Sequence, residues 1–145
     1  MTLMPTKPAQ AAFQLASESA TELGHEALQA EHLLIGLLGL QLGSAAAAMD
    51  SVGVDRATLR DRLAQSLPPG TEGERQKEYP YAPSGLAAVQ RAVTAAQTTP
   101  RRVLTSAQVM LGVLGHPPIR DLLEELGVPI VRLIHALQAR IGRSE

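Results

Sequence analysis

The chain has 145 residues, a formal net charge of −1 and no cysteine, so it offers no disulfide, no thiolate metal site, no thiol catalysis and no strong field that would attract nucleic acid or anionic membranes. Its hydrophobic share of 45% and charged share of 19% are enough for an apolar core and argue against disorder. Because only 2% of the residues are aromatic, the core must consist of aliphatic residues and Met, which favours packed helices over a sheet sandwich.

Four helices are predicted in the first half of the chain. Thr6 can cap the first helix and Gly24 is suited to end it. Ser44 and Asp55 can cap the third and fourth helices. We expect the first three helices to span residues 6–23, 31–40 and 45–52. The apolar positions that support the first and fourth helices recur at helical spacing: Ala9, Ala12, Phe13, Ala16, Ala20 and Leu23, then Leu59, Leu63 and Leu67.

A polar stretch rich in Pro and Gly follows the fourth helix. It begins at Pro68 and includes Pro69, Gly70 and Gly73, residues that break regular structure. We therefore predict a linker over residues 68–80 between a first unit, 1–67, and a second unit, 81–145.

Four further helices are predicted in the second half of the chain. Pro83 can open the fifth, Thr105 or Ser106 can cap the sixth, and Pro118 and Pro129 suit the first turns of the last two. The expected apolar positions of the fifth helix are Leu86, Val89, Val93 and Ala96. Those of the eighth are Ile130, Leu133, Ile134, Leu137 and Ile141.

The two halves are copies of one plan. Residues 30–39, AEHLLIGLLG, reappear 76 positions later as residues 106–115, SAQVMLGVLG, with both Gly residues kept. The offset falls to 74 at Gly53 and Gly127, so the second copy is two residues shorter after its second helix. A repeat at this spacing indicates a duplicated supersecondary unit. The predicted fold class is therefore all-α: two tandem four-helix repeats, eight helices in all, related by a pseudo-twofold axis and packed into one compact domain.

Few of the common functional signals occur in this sequence. No residue set matches a nucleophile, base and orienting acid, so we predict that the protein is not an enzyme. His25 and His32 lack the His-Glu-x-x-His spacing, and His32 is predicted to be a hydrogen-bonded packing residue at the helix start; no metal or cofactor is expected. The N-terminus has no charged segment followed by an apolar run, so we predict a cytoplasmic protein without a membrane anchor.

Three segments of the first copy resemble the Clp N-terminal repeat domain. They are Leu23-Gly24-His25, Ala30-Glu31-His32 with the following Leu33 to Leu37, and Val52-Gly53-Val54. This domain stands at the front of the ClpA, ClpB and ClpC unfoldases, and the ClpC branch is the most similar in pattern. Ala30 replaces the usual Thr, and the second copy has Ala107-Gln108 in place of Glu-His. No Walker A motif is present, so the expectation is a stand-alone N-domain or a fragment of a larger unfoldase.

The resemblance implies a binding module of the Clp system. Its partners would be a Clp ATPase, an adaptor protein or a protein substrate, including substrates tagged with phosphoarginine, and neither nucleic acid nor membrane. The motif places Glu31 where a carboxylate receives a guanidinium, and Thr6 can add a hydroxyl; together they would form at most one site. The alternative for Glu31 is that it only stabilises the start of its helix.

A structural role is the alternative for the whole chain. The second copy keeps the apolar residues of the pattern but loses its polar ones. A degenerate helical domain that serves dimerisation or assembly without peptide recognition fits the same sequence.

Overall fold

A computed structural model describes residues 3–68, 70, 79–141 and 143–145. Eight α-helices lie in this part of the chain, which confirms the all-α prediction. The first copy contributes α1 Lys7–Leu23, α2 Ala30–Leu38, α3 Ser44–Ser51 and α4 Arg56–Ser66. The second contributes α5 Pro83–Gln97, α6 Ser106–Val113, α7 Pro117–Glu125 and α8 Ile130–Gln138. Two short strands, β1 Met4–Pro5 and β2 Val103–Leu104, were not predicted.

Most of the predicted helix ends are confirmed. Thr6 accepts the backbone N–H of Ala9 at the start of α1, and Gly24 ends that helix with a φ of 72°. Asp55 and Thr105 cap α4 and α6 through their side chains. Ser44 is the exception, because it is the first residue of α3 rather than its cap. Its side chain is thereby available for bonds to a different helix.

The repeated helices α2 and α6 are the most buried elements. Within α2 every residue except Glu31 is buried, and within α6 every residue except Leu111. Helix α1 packs along α2, and α5 packs along α6. One continuous apolar core joins both copies.

The repeated spacing of Gly36 and Gly112 has a packing explanation. A Cβ atom at Gly36 would lie 2.2 Å from the carbonyl oxygen of Ala12, and one at Gly112 would lie 2.3 Å from that of Ala88. Both distances are far inside van der Waals contact. The glycines therefore allow α2 to cross α1, and α6 to cross α5, at backbone distance.

The predicted buried face of α5 is partly wrong. Leu86 is 44% exposed, and Val89 and Val93 are only partly buried. The buried residues are small and are shifted relative to the predicted face: Gly85, Ala88, Ala92 and Ala96. The cause is close approach at two places. A Cβ at Gly85 would lie 2.1 Å from the carbonyl oxygen of Leu28, and Ala88 and Ala92 lie against Gly112 of α6.

The predicted face of α8 is confirmed at its centre. Leu133 and Leu137 are buried. Ile130, Ile134 and Ile141 are partly buried.

Two short parallel pairings reveal the pseudo-twofold symmetry. Pro5 in the first copy pairs with Leu104 in the second, and Tyr81 in the second pairs with Leu28 in the first. Each residue of one pair lies 76 positions from its counterpart in the other. Each copy therefore sends the segment before its first helix across to the second helix of the other copy.

This exchange makes the two copies interdependent. The boundary at residues 68–80 remains a prediction, since residues 69 and 71–78 lie outside the described part. No described helix is long and apolar enough to cross a membrane.

Candidate functional site: two clusters of helix starts

The symmetric exchange brings helix N-termini together in two places. Thr6 N–H donates to the carbonyl oxygen of Leu104, which holds the start of α1 beside the start of α6. Ala82 N–H donates to the carbonyl oxygen of Leu28, which holds the start of α5 beside the start of α2. Both bonds measure 2.9 Å. Free N–H groups and the helix dipole make each of these places attractive to an anion.

We call the first place the Glu145 cluster; it comprises Thr6, Ser44, Ser106 and Glu145. The carboxylate of Glu145 accepts hydrogen bonds from the hydroxyls of all three other members. It also accepts the backbone N–H groups of Ser44 at 2.9 Å and Ser106 at 2.8 Å. Burial alone would raise the pKa of Glu145, but these bonds outweigh it and lower the pKa.

We call the second place the Glu31 cluster; it comprises Glu31, Ser84 and His116. The Ser84 hydroxyl accepts the N–H of Ala30 at 3.1 Å, which satisfies the start of α2. Nε2 of His116 lies 3.4 Å from Oε1 of Glu31. That carboxylate oxygen is buried and accepts no hydrogen bond in the described part of the protein.

Thr6 and Glu31 therefore do not form one site. The expectation that Thr6 adds its hydroxyl beside Glu31 is wrong, because β1 crosses to the other copy and carries Thr6 to the start of α6. Glu31 instead meets Ser84 and His116 from the second copy. The counterpart of Thr6 in the Glu31 cluster is Ala82, which has no hydroxyl, so the structure reassigns the partners of each predicted residue.

The histidines of the motif form a hydrogen-bonded chain next to the Glu31 cluster. Gln29 N–H donates to Nδ1 of His32 at 2.9 Å, so the proton of the neutral ring is on Nε2. That nitrogen lies 2.8 Å from Nδ1 of His25, whose Nε2 lies 2.7 Å from the carbonyl oxygen of Pro68. Burial, with a smaller contribution from His25, lowers the pKa of His32 to about 4. This agrees with the prediction that His32 is a hydrogen-bonded packing residue.

Residues whose role the sequence did not indicate complete both clusters. Ser84 and Glu145 belong to no motif, and Ser106, the first residue of the repeated segment, was predicted only as a possible cap; Glu145 is 39 positions from Ser106 in sequence. The only sequence signal for the two serines was their place at a helix start. Among the described residues, no group of three His, Asp or Glu side chains is placed to hold a metal ion.

Comparison with known proteins agrees with this architecture. The family described as the Clp repeat (R) N-terminal domain matches residues 4–126. The chain belongs to this family.

Individual relatives agree with the family assignment. The ClpA homologue of Cyanidium caldarium is 27% identical over 96% of this chain and 16% of its own length. The chaperone protein ClpB of Mycobacterium bovis is 32% identical over 75% of this chain and 13% of its own length. The chain thus spans about a sixth or less of these relatives.

A solved structure shows the same fold. The Hsp104 N-terminal domain from Candida albicans has a TM-score of 0.81 with 14% identity, and the likeness covers 98% of this chain and 94% of that one. At this identity the likeness concerns the fold alone.

Proposed function

We propose that this Clp N-domain protein is a non-enzymatic binding module of the Clp chaperone and protease system, which recruits substrates or adaptors or regulates a Clp ATPase in the cytoplasm. The observation that carries the proposal is the buried Oε1 of Glu31, which accepts no hydrogen bond from any described residue and has only the long 3.4 Å contact with Nε2 of His116 among the ion pairs of the described residues. Buried carboxylate oxygens are normally hydrogen-bonded, because an unpaired one loses its hydration without compensation. A cationic donor from a partner would supply the missing bond.

A guanidinium group is the donor that suits this position best. Its planar fork can give two parallel N–H bonds to one carboxylate. The starts of α2 and α5 lie beside Glu31 and favour a negative group on the same ligand. An arginine-phosphorylated segment of a protein substrate carries both charges, and Glu31 would hold its guanidinium end. Thr6, in the other cluster, would act as a separate polar recognition residue.

Calorimetry with a phosphoarginine peptide tests this assignment. We expect saturable binding to the wild type and its loss, by at least roughly tenfold in affinity, in Glu31→Ala. Glu22→Ala removes an exposed carboxylate from α1 and should bind like the wild type. No binding by the wild type, or equal binding by Glu31→Ala, would contradict the assignment to Glu31.

Capture of a Clp ATPase by the purified domain tests the broader proposal. Stable association with the ATPase supports a recruiting or regulating module. Self-association without any ATPase binding would instead favour the alternative role in dimerisation or assembly.

A further inference from the structure

The Glu145 cluster joins helix starts from both copies through reciprocal caps. The Ser44 hydroxyl accepts the N–H of Ala107 at 3.2 Å, and the Ser106 hydroxyl accepts the N–H of Ala45 at 3.1 Å. Each serine therefore satisfies a backbone donor of the other helix. Ser106 is fully buried and Ser44 is 8% exposed. These hydroxyls are held in place before any external group arrives.

The reciprocal caps bring two positive helix ends together. Helices α3 and α6 each carry about half an elementary charge at their N-termini, and like charges at this separation repel. The carboxylate of Glu145 lies between the two ends and bonds to both, with Oε1 on Ser44 and Oε2 on the backbone of Ser106. Its negative charge offsets the repulsion between the positive N-termini of α3 and α6.

The carboxylate holds this position at the edge of solvent. A cavity of about 400 Å³ adjoins the cluster and is lined by Leu42, Ala47, Arg140 and Arg143 together with Glu145 itself. Glu145 is exposed as a residue although both of its carboxylate oxygens are bonded. A competing anion can therefore reach the same donors past two arginine side chains.

We propose that Glu145 is an intramolecular ligand that masks Thr6 and the starts of α3 and α6. An anionic side chain of a partner protein, carboxylate or phosphate, would engage these donors only after it displaced Glu145. The inference rests on the proposed function for the recognition role of Thr6, whereas the occupancy by Glu145 rests on the contacts alone. Masking lowers the apparent affinity of the cluster in proportion to the fraction of molecules in which it is open.

Inorganic phosphate is the probe for this contact. Backbone amide chemical shifts of Ser44 and Ser106 are followed by NMR as phosphate is added at constant ionic strength. The proteins are the wild type, Glu145→Gln, Glu145→Ala and the control Glu124→Gln, which removes the same charge from an exposed position on α7. The glutamine variant keeps the side-chain size, and unchanged shifts elsewhere show that each variant is folded.

We expect the two Glu145 variants to show saturable shifts at these amides at a phosphate concentration roughly tenfold or more below that needed for the wild type. The control should behave like the wild type. Equal responses in all four proteins, or no response in a folded Glu145 variant, would overturn the inference. Neither result affects the capture of a Clp ATPase by the wild type, so a failure of the masking and a failure of the proposed function can be told apart.

Discussion

The two copies of the repeat cross their first and second helices in nearly the same way, at Gly36 and Gly112. They differ in which residue places a negative charge at the start of the second helix. In the first copy an acid stands in the first turn of α2 itself, at Glu31. The matching position in α6 is Ala107, and the acid comes instead from Glu145. Both copies thus place one carboxylate among converging helix N-termini. Both copies therefore have a carboxylate at this place in the fold, but each copy supplies it from a different position in the sequence.

The two copies also differ in the buried polar residue at the third position of α2 and α6. His32 in α2 accepts the N–H of Gln29, and Gln108 in α6 accepts the N–H of Thr105. Both side chains are buried. A glutamine can accept this bond without titrating, whereas the histidine must stay neutral to do so. Only the first copy is therefore sensitive to acid at this position.

The largest expected effect tests what the copies share. Gly36→Ala and Gly112→Ala should each destabilise the protein by about 3 kcal/mol or more, since the new methyl group meets a backbone carbonyl that cannot rotate away. Urea denaturation measures the loss. Gly127→Ala is the control, because among the described residues no atom other than those of its two chain neighbours lies within 4 Å of the new methyl group, and only its φ of 75° is unfavourable. It should cost about 1 kcal/mol. If only one of the two substitutions caused a large loss of stability, the two helix crossings would not be equivalent.

The next effect concerns the pH dependence of the first copy. His32 has a pKa of about 4 in the folded protein, below its usual value of 6.5. The unfolded chain therefore binds more protons between these values, and stability is lost as the pH falls through this range. From pH 7 to pH 5 the loss from His32 should be about 2 kcal/mol.

His32→Gln, which copies Gln108, checks this cause. Thermal and urea unfolding at both pH values should show a loss smaller by that amount than in the wild type. His135→Gln, which changes an exposed histidine, is the matched control for the substitution itself. An unchanged pH dependence in His32→Gln would show that its titration does not couple to folding.

The smallest effect compares the two serine caps. Ser84→Ala removes one acceptor from the N–H of Ala30 and should cost about 1 kcal/mol. Ser106→Ala leaves the buried N–H of Ala45 without its partner and removes a donor to Glu145, so about 2 kcal/mol is expected. Urea denaturation of both variants gives the difference. Equal losses would mean that Glu145 contributes little at its cluster.

Much of the fold was predictable because it depends on local rules. The caps at Thr6 and Asp55, the stop at Gly24 and the repeated spacing of the two copies all follow from backbone chemistry and duplication. The face of α5 was not predictable in the same way. Its leucine and valine residues suggested one face, but the closeness of the Leu28 backbone requires glycine at position 85, and Ala88 and Ala92 lie against Gly112 where α6 crosses.

The candidate site was predictable only in part. Glu31 lies in a motif whose spacing can be read directly, and Thr6 is a recognisable cap. Their separation into two clusters depends on β1 pairing with β2, two strands of two residues each that carry no periodic signal. Glu145 joins the site through a hydrogen bond with Thr6, which is 139 positions away in the sequence, and no local pattern indicates such a contact.

The sequence by itself determined the helices, their ends and the duplication, because capping, glycine stops and apolar spacing act over a few residues. Only the tertiary structure decided which helix starts lie together, because the segment before the first helix of each copy pairs with a segment of the other copy. It also decided which acid serves each meeting point, since the field of converging helix dipoles exists only after the two copies have packed.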